Sequence, residues 1–175
     1  MANKAKIKGN SWENTVAKHL SSIYGESFIR VPGSGAYVGG KNAARKEFLH
    51  EGQIRAMKGD IIPPTHWKHF NVECKSYAEF PFHQLFSEGK ITLLDTWISQ
   101  TLDAADAGDL NIIIMKFNRK GSFVAFEGHL IPTLQTTRHI IYDSEKFGSW
   151  AFTNYDEFWR LNSDIVRQLS QKKID

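Results

Sequence analysis

Residues 69–77 read HFNVECKSY, and the reading of this stretch decides the fold. Side chains of a strand alternate between its two faces. Phe70, Val72 and Cys74 therefore share one side, the core side, while Asn71, Glu73 and Lys75 share the other. The stretch is a strand that buries one face and sets a carboxylate and an ammonium on the opposite one. An ion pair along that face would account for Glu73-x-Lys75 without any function.

Working outward, the nearest upstream acid is Asp60, which opens the short apolar stretch GDIIP. A short connection would pair this stretch with HFNVECKSY as a hairpin and bring Asp60 beside Glu73. Two carboxylates held close repel unless a proton or a cation lies between them. A hard divalent cation with oxygen ligands is the economical solution, since Mg²⁺ takes one or two carboxylates and keeps several waters. After Gly59, Asp60 is also ordinary turn chemistry.

A third acid comes from the first helix, predicted over 11–24 and closed by Gly25. Advancing about 100° per residue, Trp12, Val16, Leu20, Ile23 and Tyr24 form one apolar arc, and Glu13 falls inside it. An acid aimed at the core side is costly unless it is paired or coordinated. Two accounts of Glu13 stand. It belongs to an acidic site, or it closes a capping box with Asn10 as the N-cap.

The remaining pattern fits one α/β domain. Residues 1–9, with Lys4, Lys6 and Lys8, read as a basic flexible tail, and 10–175 as a single domain. SFIRVP is a short strand and GSGAYVGG a loop. A helix is expected over about 94–107, then the strand LNIIIMKF, a turn at NRKG and the returning strand SFVAFE. A final helix over about 155–171 spaces Phe158, Leu161, Ile165 and Leu169 along one face. The order suggests a mixed central sheet flanked by helices.

Composition narrows the function classes. The single cysteine, Cys74, rules out an intrachain disulfide and fits a reducing compartment. No apolar run is long enough to span a bilayer, and the basic N-terminus lacks the apolar core of a secretory signal, so a cytoplasmic protein is expected. Net charge is +3, but Lys41, Arg45, Lys46, Arg55 and Lys58 outnumber Glu47 and Glu51 in one segment. That cluster suits phosphate contacts, or a solvated surface. His66, His69, Cys74 and His83 match no zinc spacing. The glycines at 33, 35, 39 and 40 match no dinucleotide or phosphate-loop pattern. Trp97 reads as core, and Gln100 either faces the site from the 94–107 helix or lies on its solvated face.

Four ordered pieces, KGNSWENTVAKHL, RVPGSGA, GDI and VECKS, together resemble the PD-(D/E)xK nuclease superfamily, and within it the archaeal-type Holliday junction resolvases, including phage-encoded relatives. The resemblance implies a restriction-endonuclease-like fold with an αβββαβ core. It implies a Mg²⁺- or Mn²⁺-dependent endodeoxyribonuclease, acting as a homodimer on branched DNA such as a four-way junction. Asp60, Glu73 and the Cys74 carbonyl would ligate the metal, and Glu13 would complete the acidic site directly or through water. Lys75 would orient the attacking water, and Ser34 would touch the metal site or the scissile phosphate. Lys8, Arg30, Ser34, Lys41, Arg45, Lys46, Arg55 and Lys58 are the candidate DNA contacts. A nuclease of the same fold with a restriction, repair or exonucleolytic target, and a DNA-binding relative that no longer cuts, are the competing expectations.

Overall fold

A computed structural model describes residues 4–32, 58–87 and 89–172. Its elements, in chain order, are α1 (Lys4–Tyr24), β1 (Ile29–Arg30), β2 (Ile61–Ile62), β3 (Phe70–Tyr77), α2 (Thr92–Ala104), β4 (Leu110–Phe117), β5 (Gly121–Glu127), β6 (His139–Ser144), β7 (Gly148–Asn154) and α3 (Tyr155–Gln171). The main sheet has the order β3-β4-β5-β7-β6. β3 and β4 run parallel, with α2 as their crossover, and the other pairs are antiparallel. This is the expected restriction-endonuclease-like α/β architecture, a mixed sheet with helices on both faces.

The sequence of β4 explains its place at the heart of that sheet. LNIIIMKF is apolar at nearly every position, which suits a strand covered on both sides. Ile112 and Ile114 face the core built by Trp12, Val16 and Leu20 of α1 and Phe158, Trp159 and Val166 of α3. Ile113, Met115 and Phe117 face a second core built by Leu94, Trp97 and Ile98 of α2 with Phe80. Trp97 is core, as its apolar neighbours suggest. α3 is capped by Asn154, whose side chain accepts from the Glu157 amide.

Three features depart from the sequence reading. α1 begins at Lys4, so it takes in most of the stretch expected as a tail. Asn10 lies inside the helix, where its carbonyl accepts from Asn14 Nδ2 (2.9 Å), and it is not an N-cap. The capping-box account of Glu13 falls with it. β2 does not form a hairpin with β3 but pairs antiparallel with β1, Arg30 opposite Ile61. The reason lies just downstream, where Pro63 and Pro64 offer no backbone donors to a ladder. The chain instead turns to drive Trp67 into the core, edge-on to Tyr24, Phe28 and Phe70. Finally, the stretch HIIYDSEKFGSWAFTN, which carries no strong hairpin signal, forms the hairpin β6–β7, and β7 is an interior strand between β5 and β6.

Candidate active site

The site is built on the free edge of β3. The Leu110 amide donates to the His69 carbonyl (2.8 Å) and the Asn118 amide to the Tyr77 carbonyl (3.2 Å), so the odd-numbered residues of β3 turn their backbone groups toward β4. The even-numbered ones, Val72 and Cys74, turn theirs to the open edge. Asp60 occupies that edge. Its amide donates to the Val72 carbonyl (2.8 Å), and its Oδ2 accepts from the Cys74 amide (2.7 Å). One residue thus satisfies two backbone groups that an edge strand would otherwise leave unpaired. The approach requires Gly59, which has φ +62°. A Cβ at that position would lie 2.5 Å from the Val72 carbonyl oxygen. Asp60 therefore reaches Glu73 and Cys74 by a clamp on the edge, not by hairpin pairing, and the Cys74 carbonyl faces the same side.

Glu73 and Lys75 project from the α2 face of the strand. Lys75 Nζ donates to Glu73 Oε1 and to Gln100 Oε1, both at 2.5 Å. Asn71, the third residue on that face, donates to the Thr101 carbonyl and to Asn111 Oδ1 at 2.8 Å, which docks the end of α2 onto the sheet. This docking sets Gln100 over Lys75. Gln100 is exposed and at the same time bonded to Lys75, so it meets both sequence readings, a solvated helix position that faces the site. Its signal is its helical phase, three residues after the buried Trp97.

Glu13 comes from α1, on the other side of the edge. Its Oε2 lies 3.1 Å from Arg30 Nε, without the alignment of a hydrogen bond, so both atoms are buried with no hydrogen-bond partner. Arg30, a candidate phosphate contact, is thus engaged by an acid of the site.

The electrostatics follow from burial and crowding. Glu13, Asp60 and Glu73 are only 9, 4 and 8 % exposed. Burial, then the Asp60 charge, pushes the Glu73 carboxyl up to about 7, against the pull of Lys75. The same two causes raise Glu13, with Arg30 and Lys75 opposing. Burial above all holds the Cys74 thiol protonated, with Asp60, Glu73 and Glu13 adding to the effect, so Cys74 offers its backbone and not its sulfur. Three acids face two cations, Arg30 and Lys75, and the site is short of positive charge.

Those features suit a hard divalent cation. The donors are carboxylate oxygens, and the raised proton affinities of Glu13 and Glu73, despite Arg30 and Lys75 beside them, mark the missing charge. Among the described residues, no three His, Cys, Asp or Glu side chains are gathered closely enough to hold a metal by themselves. A site of two carboxylates, one backbone carbonyl and water remains, a set that Mg²⁺ accepts.

The other expected contacts divide. Lys8 is half-buried on α1. Lys58 is buried between Asp106 (3.1 Å) and Asp109, whose carboxylates neutralise it. Ser34, Lys41, Arg45, Lys46 and Arg55 lie outside the described residues.

A family model described as "Phage putative PDDEXK endonuclease" matches residues 4–168. No curated protein and no solved structure matches the chain.

Proposed function

Because the chain belongs to the family of phage PD-(D/E)xK endonucleases, we propose that it hydrolyses phosphodiester bonds in branched DNA, with Mg²⁺ or Mn²⁺ held by Asp60, Glu73 and the Cys74 carbonyl. Glu13 completes the acidic site from α1. The observation that carries this reading is the clamp at the edge of β3. Asp60 is bonded to the backbone of Val72 and Cys74, the residues that flank Glu73, and its charge acts on the Glu73 carboxylate that Lys75 pairs.

When bound, the cation supplies the Lewis acidity that activates water and offsets phosphate charge. The chain supplies the rest. Lys75 exchanges its bond to Glu73 for one to the attacking water or a non-bridging phosphate oxygen, while Gln100 keeps the ammonium aimed. Arg30, beside Glu13, contributes a fixed positive charge at the other side of the edge. Glu13 and Glu73 bind protons more readily than free carboxylates, and deprotonate as positive charge enters.

Support for a branched substrate is the resemblance of the four sequence pieces to archaeal-type Holliday junction resolvases. A four-way junction has approximate two-fold symmetry, so paired cuts call for two sites related by a matching axis, and a homodimer provides them. The working compartment would be the cytoplasm of a host cell. No helix among the described residues is long and apolar enough to cross a membrane.

The test compares cleavage of a synthetic four-way junction, a flap, single-stranded DNA and linear duplex with Mg²⁺ or Mn²⁺. Paired nicks in the junction are expected. Equal cutting of linear duplex would move the assignment to a restriction or repair target, and binding without cleavage of any substrate would leave a DNA-binding relative.

A further inference from the structure

We infer that Lys58 is a positioning residue that fixes Asp60 at the edge of β3; the inference rests on the metal-dependent nuclease reading of that edge. A buried lysine is unfavourable unless it is paired. The Lys58 side chain is 6 % exposed and lies against Asp109, which is fully buried, and Asp106, which is not. His69 adds a third group, its Nδ1 3.4 Å from Asp109 Oδ1. Asp109 Oδ2 also accepts from the Asp106 amide (2.6 Å), so the turn that carries both acids is itself held.

The place of this cluster gives it a role. Lys58 stands two residues before Asp60. The residue between them, Gly59, rests directly on the Val72 carbonyl. Asp60 is then held through its own amide to Val72, through its side chain by the Cys74 amide, and through its carbonyl by the Val31 amide (2.9 Å). These three bonds hold Asp60 to β3 and to the β1 end. Lys58 supplies the remaining tether, and it leads elsewhere: to the turn between α2 and β4. That turn follows the helix carrying Gln100, which aims Lys75. Lys58 therefore joins the arm that bears Asp60 to the arm that orients Lys75, and sets their separation. Its charge acts inside the fold and not on a phosphate.

The test uses the full chain in two variants. Lys58→Met with Asp109→Asn removes a cation and its buried counter-ion together, which avoids a stranded charge. Lys58→Arg keeps the charge but displaces it. Amide hydrogen exchange at Cys74 reports directly on its Asp60 acceptor and needs no metal. Mn²⁺ affinity and the separation of kcat from KM report on the site. In the double variant, Cys74 exchange is expected to quicken by about tenfold relative to Ile113 and Ile114. Mn²⁺ binding and kcat should each fall by about tenfold or more, with KM for DNA within about twofold. Lys58→Arg should show the same pattern at smaller size, and it decides the case if the double variant does not fold. Unchanged Cys74 exchange with unchanged Mn²⁺ affinity would overturn the inference. A rise in KM with kcat intact would also overturn it, and return Lys58 to the phosphate contacts. Wild-type protein that neither binds Mn²⁺ nor cuts DNA would instead remove the nuclease reading, and the Cys74 exchange result would still stand on its own.

Discussion

The two edges of the main sheet both hold a buried acid, and they treat it in opposite ways. At the β6 edge, Asp95 of α2 accepts from the Tyr142 hydroxyl (2.8 Å), and that hydroxyl accepts from the Ile91 amide (3.0 Å). Asp95, the Tyr142 hydroxyl and the Ile91 amide are bonded to one another, Lys90 lies 4.0 Å from Asp95, and only one carboxylate is buried, so the arrangement is a self-contained strut. At the β3 edge, Glu13, Asp60 and Glu73 crowd one another, a carboxylate oxygen is left without a hydrogen bond, and proton affinities rise. Burial of an acid is therefore not the mark of a site in this protein. What sets the β3 edge apart as a candidate site is that burial there is compounded by the Asp60 charge acting on both Glu13 and Glu73.

The largest effects should separate the edges cleanly. Asp60→Asn or Lys75→Ala is expected to reduce cleavage by about 10³-fold, with DNA affinity changed by less than about threefold. Asp95→Asn at the other edge should leave cleavage at the wild-type rate. Steady-state cleavage with parallel binding titrations decides this. Wild-type cleavage in either β3-edge variant would show that the crowded acids are not the reacting centre.

How much of this was legible in sequence depends on the residue. Alternation along HFNVECKSY placed Glu73 and Lys75 on one face because a strand's period is fixed by its backbone. Helical phase likewise put Glu13 among apolar neighbours. LNIIIMKF, apolar except at Asn111 and Lys116, reads as a strand, and the structure covers it on both sides. What failed were matters of partnership. The Asp60 clamp depends on Gly59 lying against Val72, and the ion cluster at Lys58 joins residues about fifty positions apart. Neither leaves a local pattern. The β6–β7 hairpin was missed although HIIYDS and SWAFTN carry strand residues, because the turn EKFG lacks the strong Asn-Gly type of signal and the first strand does not alternate strictly. The burial of Lys58 left no trace either, because a lysine in a basic segment looks the same whether its ammonium is solvated or buried.

Burying Glu73 beside the Asp60 charge also has a cost in stability, with a definite sign. Glu73 titrates at about 7 in the folded chain and near 4.5 when unfolded. Between those values the folded state holds a proton that the unfolded state releases. The contribution to stability is therefore full below about pH 4.5 and is lost as pH rises through 7. Glu73→Gln should stabilise the metal-free protein by on the order of 2 kcal/mol at pH 8 and hardly at all at pH 4. Adding Mn²⁺ should raise the unfolding midpoint of the wild type more than that of the variant. Thermal or urea unfolding at the two pH values measures both. A variant less stable than wild type at pH 8 would mean that the Lys75 pair outweighs the crowding.

Gln100 sharpens the comparison at finer scale, since it sits on the same helix as Asp95, five residues further along. Gln100→Ala should lower kcat by about tenfold, about 1.4 kcal/mol, by freeing Lys75 to rest on Glu73. KM should hold, because the glutamine acts on the ammonium and not on the DNA. Gln100→Glu should be worse than alanine, since a fourth acid would deepen the charge imbalance at the β3 edge.

The smallest expected effect tests whether the two edges are independent at all. Tyr142→Phe removes one hydroxyl and leaves both Asp95 Oδ1 and the Ile91 amide without it. A net loss of about 1 kcal/mol in unfolding free energy is expected, because the sites lie near enough to a pocket for water to replace part of the bonding. Cleavage should not change, provided α2 is held at its other end by Asn71 on the Thr101 carbonyl. If Tyr142→Phe instead lowers kcat, then the strut at β6 sets the tilt of α2 and so the aim of Gln100. The double variant with Gln100→Ala would then lose no more than Gln100→Ala alone, and the quiet edge would prove to be the far support of the reactive one.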